Sequence, residues 1–121
     1  MVTKRGNDDD NRIVGTNQQD YLYGRSGDDQ LYGLGGDDFL YGEEGNDRID
    51  AGSGHNQVWG GSGNDRIVSG NGNDRLWGGE GDDVLRTAAA AEALGAGVER
   101  LGEGRWLVRG VGIGGLSDPA R

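Results

Sequence analysis

Gly24-Arg25-Ser26-Gly27-Asp28-Asp29-Gln30-Leu31-Tyr32, Gly60-Gly61-Ser62-Gly63-Asn64-Asp65-Arg66-Ile67-Val68 and Gly78-Gly79-Glu80-Gly81-Asp82-Asp83-Val84-Leu85-Arg86 are three copies of one nine-residue unit. Nine such units run end to end from Gly6 to Arg86 without an insertion. Their eighth position is Ile13, Leu22, Leu31, Leu40, Ile49, Val58, Ile67, Leu76 and Leu85, always a large aliphatic. The first position is Gly except at Ala51 and Ser69, and the fourth is Gly except at Asp9 and Gln18. The sixth is Asp20, Asp29, Asp38, Asp47, Asp65, Asp74 and Asp83, with Asn11 and Asn56 in the remaining two units.

Each column has a physical reading. Glycine supplies positive φ and lets the chain turn tightly. A single buried aliphatic flanked by outward side chains marks a very short strand. The unit is therefore a turn of about six residues followed by a strand of about three. One aliphatic cannot build a core alone, so the units must stack.

The pattern Gly-Gly-x-Gly-x-Asp-x-aliphatic-x resembles the RTX (repeats-in-toxin) calcium-binding nonapeptide family. The resemblance implies an all-β fold, a right-handed parallel β-roll of nine repeats with two units per coil. It also implies Ca2+ in the turns, between loops eighteen residues apart. On one edge that aligns Asn11, Asp29, Asp47, Asp65 and Asp83, and on the other Asp20, Asp38, Asn56 and Asp74. Calcium takes six to eight oxygens. Carbonyls of the turns at Gly27, Gly36, Gly45, Gly54, Gly63, Gly72 and Gly81 would complete what the carboxylates begin. The pairs Asp29/Asp47, Asp47/Asp65 and Asp65/Asp83 match the pattern best, Asp20/Asp38 comes next, and those containing Asn56 or Asn11 come last. Stacked carboxylates repel one another without a cation, so folding is expected to be coupled to calcium binding. Without the unbroken aliphatic column, a Gly/Asp-rich tract would read as a disordered linker.

Composition agrees. The chain has 121 residues, 27 of them Gly, a net charge of −9 and no Cys. An ordinary globular core is not expected from 32% hydrophobic residues. The charge argues against nucleic acid as a partner and suits a chain that captures divalent cations. No apolar run is long enough to span a membrane. The opening residues, Met1 to Gly6, carry no apolar core of a cleavable signal peptide; an extracellular bacterial location is implied by the resemblance. With no Cys and His55 as the one His, no nucleophile and base pair is visible, and no enzyme activity is expected. His55 reads as a solvated turn residue.

Even-numbered units end in Tyr23, Tyr41, Trp59 and Trp77, an aromatic column on one outer face, extended by Tyr21 and Phe39. It is a candidate surface for a polysaccharide or a protein, or a ladder that stabilises the sheet. The other face carries Arg12, Gln30, Arg48, Arg66 and Val84 with Val14, Tyr32, Asp50, Val68 and Arg86, mixed and partly basic.

Residues 1–5 read as a disordered leader, 6–86 as the roll and 87–121 as a tail that could cap it. In the tail, Thr87 to Leu94 is Ala-rich and predicts a helix. Val98-Glu99-Arg100-Leu101 and Arg105-Trp106-Leu107-Val108-Arg109 predict a hairpin. The runs Asp83-Val84-Leu85-Arg86-Thr87, Ala93-Leu94-Gly95-Ala96, Gly104-Arg105-Trp106-Leu107-Val108 and Gly110-Val111-Gly112 are similar to a piece of the 5-enolpyruvylshikimate-3-phosphate synthase (3-phosphoshikimate 1-carboxyvinyltransferase) family. That family's Asn-Ser/Ala-Gly-Thr stretch and Lys/Ser phosphate motif have no counterpart here. The resemblance therefore implies a truncated or fused fragment without activity. At Gly81 to Leu85 the two patterns overlap, so that Asp82 or Asp83 reads either as a calcium-repeat residue or as a helix N-cap.

Overall fold

The computed structural model describes residues 1–86 and, beyond them, the backbone of Glu92–Leu94, Val98–Gly102 and Arg105–Val108. The strands are β1 (Thr3–Arg5), β2 (Arg12–Val14), β3 (Tyr21–Tyr23), β4 (Gln30–Tyr32), β5 (Phe39–Tyr41), β6 (Arg48–Asp50) and β7 (Gln57–Trp59). They continue with β8 (Arg66–Val68), β9 (Arg75–Trp77), β10 (Asp83–Arg86), β11 (Glu92–Leu94), β12 (Val98–Gly102) and β13 (Arg105–Val108).

Two sheets result. One has the order β1-β3-β5-β7-β9-β11 and the other β12-β13-β10-β8-β6-β4-β2. Strands alternate between them, and parallel neighbours through β10 pair with an offset of eighteen residues, as in Leu22↔Leu40 and Ile49↔Ile67. Two nine-residue units thus make one coil of a parallel β-roll. Strands β2 to β9 each point their middle side chain inward, and the nine eighth-position aliphatics are all buried, joined by Ala51.

The ends of the stack differ from the middle. Residues 1–5, expected as a leader, contain β1, whose Lys4 aligns with Leu22. Lys4 therefore occupies the aliphatic column one coil below the first Leu of its sheet. Its Nζ donates to the Val14 carbonyl at 2.7 Å, closing the apolar column with a charge that reaches the surface.

At the other end, Glu92–Leu94 is a strand and not the close of the expected helix. It pairs parallel with β9, through Ala93↔Leu76. A free ladder of strand hydrogen bonds outweighs the modest helix preference of an Ala-rich run; the rest of that run, 87–91, lies outside the described residues. The expected hairpin is present as β12 and β13, with an irregularity between Arg100 and Gly102. β13 lies antiparallel to β10, so the hairpin occupies the edge that the second sheet would otherwise leave open. The overlap at Gly81 to Leu85 resolves as repeat: Asp83 begins β10 and is fully buried.

Candidate metal centres

The turns of units three to seven and of unit nine each contain two residues with left-handed backbone, and that of unit eight contains one. At the fourth position, Gly27, Gly36, Gly45, Gly54, Gly63, Gly72 and Gly81 all have positive φ, between 90° and 119°. A Cβ on Gly63 would strike the Gly45 carbonyl one coil away, so both conformation and close approach require glycine. At the second position Arg25, Leu34 and Glu43 take φ of 67–72°, strained for non-glycine residues. The first-position glycine has a separate reason. A Cβ on Gly24 would lie 2.7 Å from Asp29 Oδ2 and 2.8 Å from the Gly42 carbonyl oxygen.

The sixth-position side chains fold back under these turns. Asp20, Asp29, Asp38, Asp47, Asn56, Asp65, Asp74 and Asp83 are all at most 1% exposed. Each uses Oδ1 to accept the backbone N–H of the residue eighteen positions earlier, as in Asp29 to Asp47 and Asp47 to Asp65, both 2.8 Å. The second oxygen is different. Oδ2 of Asp29, Asp38, Asp47, Asp65, Asp74 and Asp83 is buried without a hydrogen-bond partner. Six buried acceptors without donors, in register along two edges, are an arrangement that native structures avoid unless a cation completes it.

Unit six shows what surrounds that oxygen. There Asn56 Nδ2 stands in the place of Oδ2, and it donates to the carbonyls of Ala51, Gly52 and Ser53 at 3.3 Å and of Gly54 at 3.5 Å. Four carbonyls of one turn thus converge on a single point. In the aspartate turns of the same pattern, carbonyls would converge on another acceptor, a set that contains no donor and attracts a hard cation. Among the described residues no three acidic or imidazole side chains cluster as a metal site, so main-chain oxygens must supply most ligands.

The electrostatics follow the burial. Desolvation, with neighbouring carboxylates adding to it, pushes Asp38 and Asp83 up to about 7, Asp47 to about 8 and Asp65 to about 9. Asp29 and Asp74 are also raised by burial. Asp20 is the exception. Burial raises it, but the N–H groups of Thr16 and Val2 and the Thr16 hydroxyl outweigh this and hold it below its ordinary value. Thr16 N–H donates to Oδ2 at 2.6 Å and its hydroxyl at 2.9 Å, so Asp20 has no orphaned oxygen. Asn11 is likewise occupied locally, bonding Asn7 at 3.1 Å.

A second ladder went unread in the sequence. Fifth-position side chains accept the backbone N–H eighteen residues later, the opposite direction to the sixth: Asp28 to Asp10 at 2.7 Å, Asn46 to Asp28 and Asn64 to Asn46 at 2.8 Å. His55, expected only as a solvated turn residue, is exposed but serves in this ladder. Its N–H donates to Asp37 and its Nδ1 accepts from Asn73 at 2.7 Å. The signal was available, because every fifth position from Asp10 to Asp82 is Asp, Asn, Gln or His, each able to accept.

The aromatic column forms as expected. Tyr23–Tyr41, Tyr41–Trp59 and Trp59–Trp77 stack with centroids 4.6–4.8 Å apart and planes within 4°, and Tyr21–Phe39 does the same at 4.9 Å. Arg5 lies 5.2 Å from the Tyr23 centroid. Ring faces are thus covered by one another, and an inner ring offers a ligand its edge, whereas sugars stack on faces. This geometry favours the sheet-stabilising use of the ladder.

Comparison with known proteins gives two kinds of match. The model of the RTX calcium-binding nonapeptide repeat matches residues 5–40, 23–58 and 59–89. The RTX nonapeptide repeat family binds Ca2+. A short segment is similar to 3-phosphoshikimate 1-carboxyvinyltransferase: 88% identical to that of Methylobacterium radiotolerans over 37 residues, which is 31% of this chain and 8% of that protein. The identity is 75% with that of Methylorubrum extorquens and 68% with that of Paracoccus denitrificans, each over 36 residues and 8% of the relative. A match spanning 8% of an enzyme carries none of its catalytic activity to this chain. No solved structure matches. Among the described residues no helix is long and apolar enough to cross a membrane.

Proposed function

The chain belongs to the RTX calcium-binding nonapeptide repeat family, and from that premise we propose that it is a calcium-folded, non-catalytic module of an extracellular bacterial protein. Residues 6–86 are the cation-holding roll, and 87–121 a tail that closes its end. The ion would be held by the Oδ2 atoms of Asp29, Asp38, Asp47, Asp65, Asp74 and Asp83 together with turn carbonyls. Calcium supplies there the positive charge that pairs buried carboxylates with carbonyl dipoles. The observation that carries the reading is the set of six buried Oδ2 atoms without a partner. Asp20 and Asn56 stand apart, because neither offers a free oxygen to the same position. The order is therefore the one expected from the sequence: Asp29/Asp47, Asp47/Asp65 and Asp65/Asp83 bind first, and Asp20/Asp38 follows them.

The chain's own groups do the rest. The Oδ1 ladder holds each carboxylate in place, and the positive-φ residues turn carbonyls inward. Folding is then linked to calcium by mass action. Extracellular modules of this kind work at dissociation constants of about 10⁻⁴–10⁻³ M. Equilibrium dialysis at millimolar calcium tests the assignment. Several ions bound per chain, fewer in Asp65→Ala, is the expected result; an unchanged count in Asp65→Ala would remove these residues from the site. The synthase-like segment contributes strands and no chemistry. A shift in its resonances with shikimate 3-phosphate would contradict this.

A further inference from the structure

The outer face of the second sheet holds a concavity of about 280 Å³, lined among others by Tyr32, Arg48, Asp50, Arg66, Val68 and Arg86. Arg48 and Arg66 are direct cross-strand neighbours on β6 and β8. Arg86 lies one strand further, beside Val68. All three arginines are exposed. Among the described residues none of their guanidiniums makes a hydrogen bond, ion pair or ring contact. By contrast, Arg12 on the same face is laid over the Tyr32 ring, 5.1 Å from its centroid.

This is an odd place for unpaired positive charge. The chain carries 21 Asp and Glu against 12 Lys and Arg, so carboxylates to pair with are plentiful. Like charges directly opposite across strands are destabilising, and strands stand about 4.8 Å apart. Among the described residues Asp50 is the one acid that lines the concavity. The wall between the arginines is apolar, with Val68 43% exposed.

We propose that this concavity binds a small organic dicarboxylate, with Arg48 and Arg66 gripping one carboxylate, Arg86 the other, and the hydrocarbon between them lying on Val68. Guanidinium forks match carboxylates in bidentate geometry. The volume lies at the small end of ligand pockets, which suits a short-chain diacid and excludes a folded partner. Three arginines against Asp50 leave two positive charges, the complement of a dianion. Among the described residues the site's side-chain hydrogen bond to a turn is that of Asp50 Oδ1, which accepts the Gly52 N–H at 3.2 Å in the turn that Asn56 completes, so the site is filled independently of the aspartate turns that would hold calcium.

The test is isothermal calorimetry with glutarate on the full chain in saturating calcium at low ionic strength, with acetate as the monoanion and Arg5→Gln as a variant that removes one charge from the other sheet. Expected are saturable glutarate binding, a loss of at least tenfold in Arg66→Gln, and no change in Arg5→Gln. Arg48→Gln gives the same loss and serves if Arg66→Gln loses the roll's circular dichroism. The proposal is overturned by no saturation up to about 10 mM glutarate, by acetate binding as tightly, or by Arg5→Gln losing as much as Arg66→Gln. A chain that shows the roll's spectrum in calcium yet fails these tests loses this site alone and leaves the calcium reading untouched.

Discussion

The turn ending in Asp47 and the next one, ending in Asn56, share one backbone plan and solve one problem in two ways. Both bury the sixth-position side chain and both use its Oδ1 to accept an N–H across a coil. In the second, Asn56 Nδ2 is the donor that four carbonyls share. In the first, Asp47 Oδ2 has no partner at all. One turn completes itself and the other needs something from outside. A single oxygen-for-nitrogen exchange thus separates a turn with an unpartnered buried oxygen from a self-sufficient one.

The largest effect expected from this contrast is on pH. Asp38, Asp47, Asp65 and Asp83, raised to about 7–9, favour their protonated forms in the fold against an ordinary value of 3.8. Their contribution to the ion-free roll is full below about pH 4 and is lost as pH rises through 7–9. Circular dichroism in chelator should therefore show β structure gained on acidification from pH 9 to pH 5. A flat profile would mean that these carboxylates are not buried unpaired in the ion-free chain.

Converting Asp47 and Asp65 together to Asn makes two turns resemble unit six. Each relieved acceptor is worth about 1–3 kcal/mol, so the double variant should resist urea better than the parent in chelator while binding fewer calcium ions. Higher urea resistance with an unchanged ion count would separate the two halves of the account. Asn56→Asp is the reverse exchange: less stable in chelator by about 1–3 kcal/mol, with one more ion bound in dialysis. Ala51 limits that gain, because its Cβ occupies the space that first-position glycines leave empty. The smallest effect belongs to the aromatic ladder. Trp59→Ala should lower calcium-bound stability by about 0.5–1.5 kcal/mol beyond the lost area, with no change in calcium count. A change in polysaccharide binding with unchanged stability would return that face to recognition.

Much of this was legible in the residues. The nine aliphatics from Ile13 to Leu85 fixed strand positions, alternation and the offset of eighteen, because a one-dimensional stack leaves no other place for them. The sixth-position column named the buried acids. Three things could not be read. β1 was hidden because Lys4 and Arg5 look like a solvated leader, while the ladder of β3 recruits their backbone whatever their side chains. β11 was masked by local helix preference, which counts for less than an open sheet edge. The difference between Asp20 and Asp29 needed Thr16, whose hydroxyl only the folded turn brings to the carboxylate. The arginine concavity was half visible, as a partly basic face. That its charges go unpaired is a matter of side-chain placement that no column predicts.

The most direct measurement is far-UV circular dichroism during a calcium titration, with magnesium as the control. A cooperative gain of β signal at sub-millimolar to millimolar calcium, absent with magnesium, is what six buried unpartnered carboxylate oxygens require. A chain already folded in chelator at neutral pH and unmoved by calcium would contradict the account.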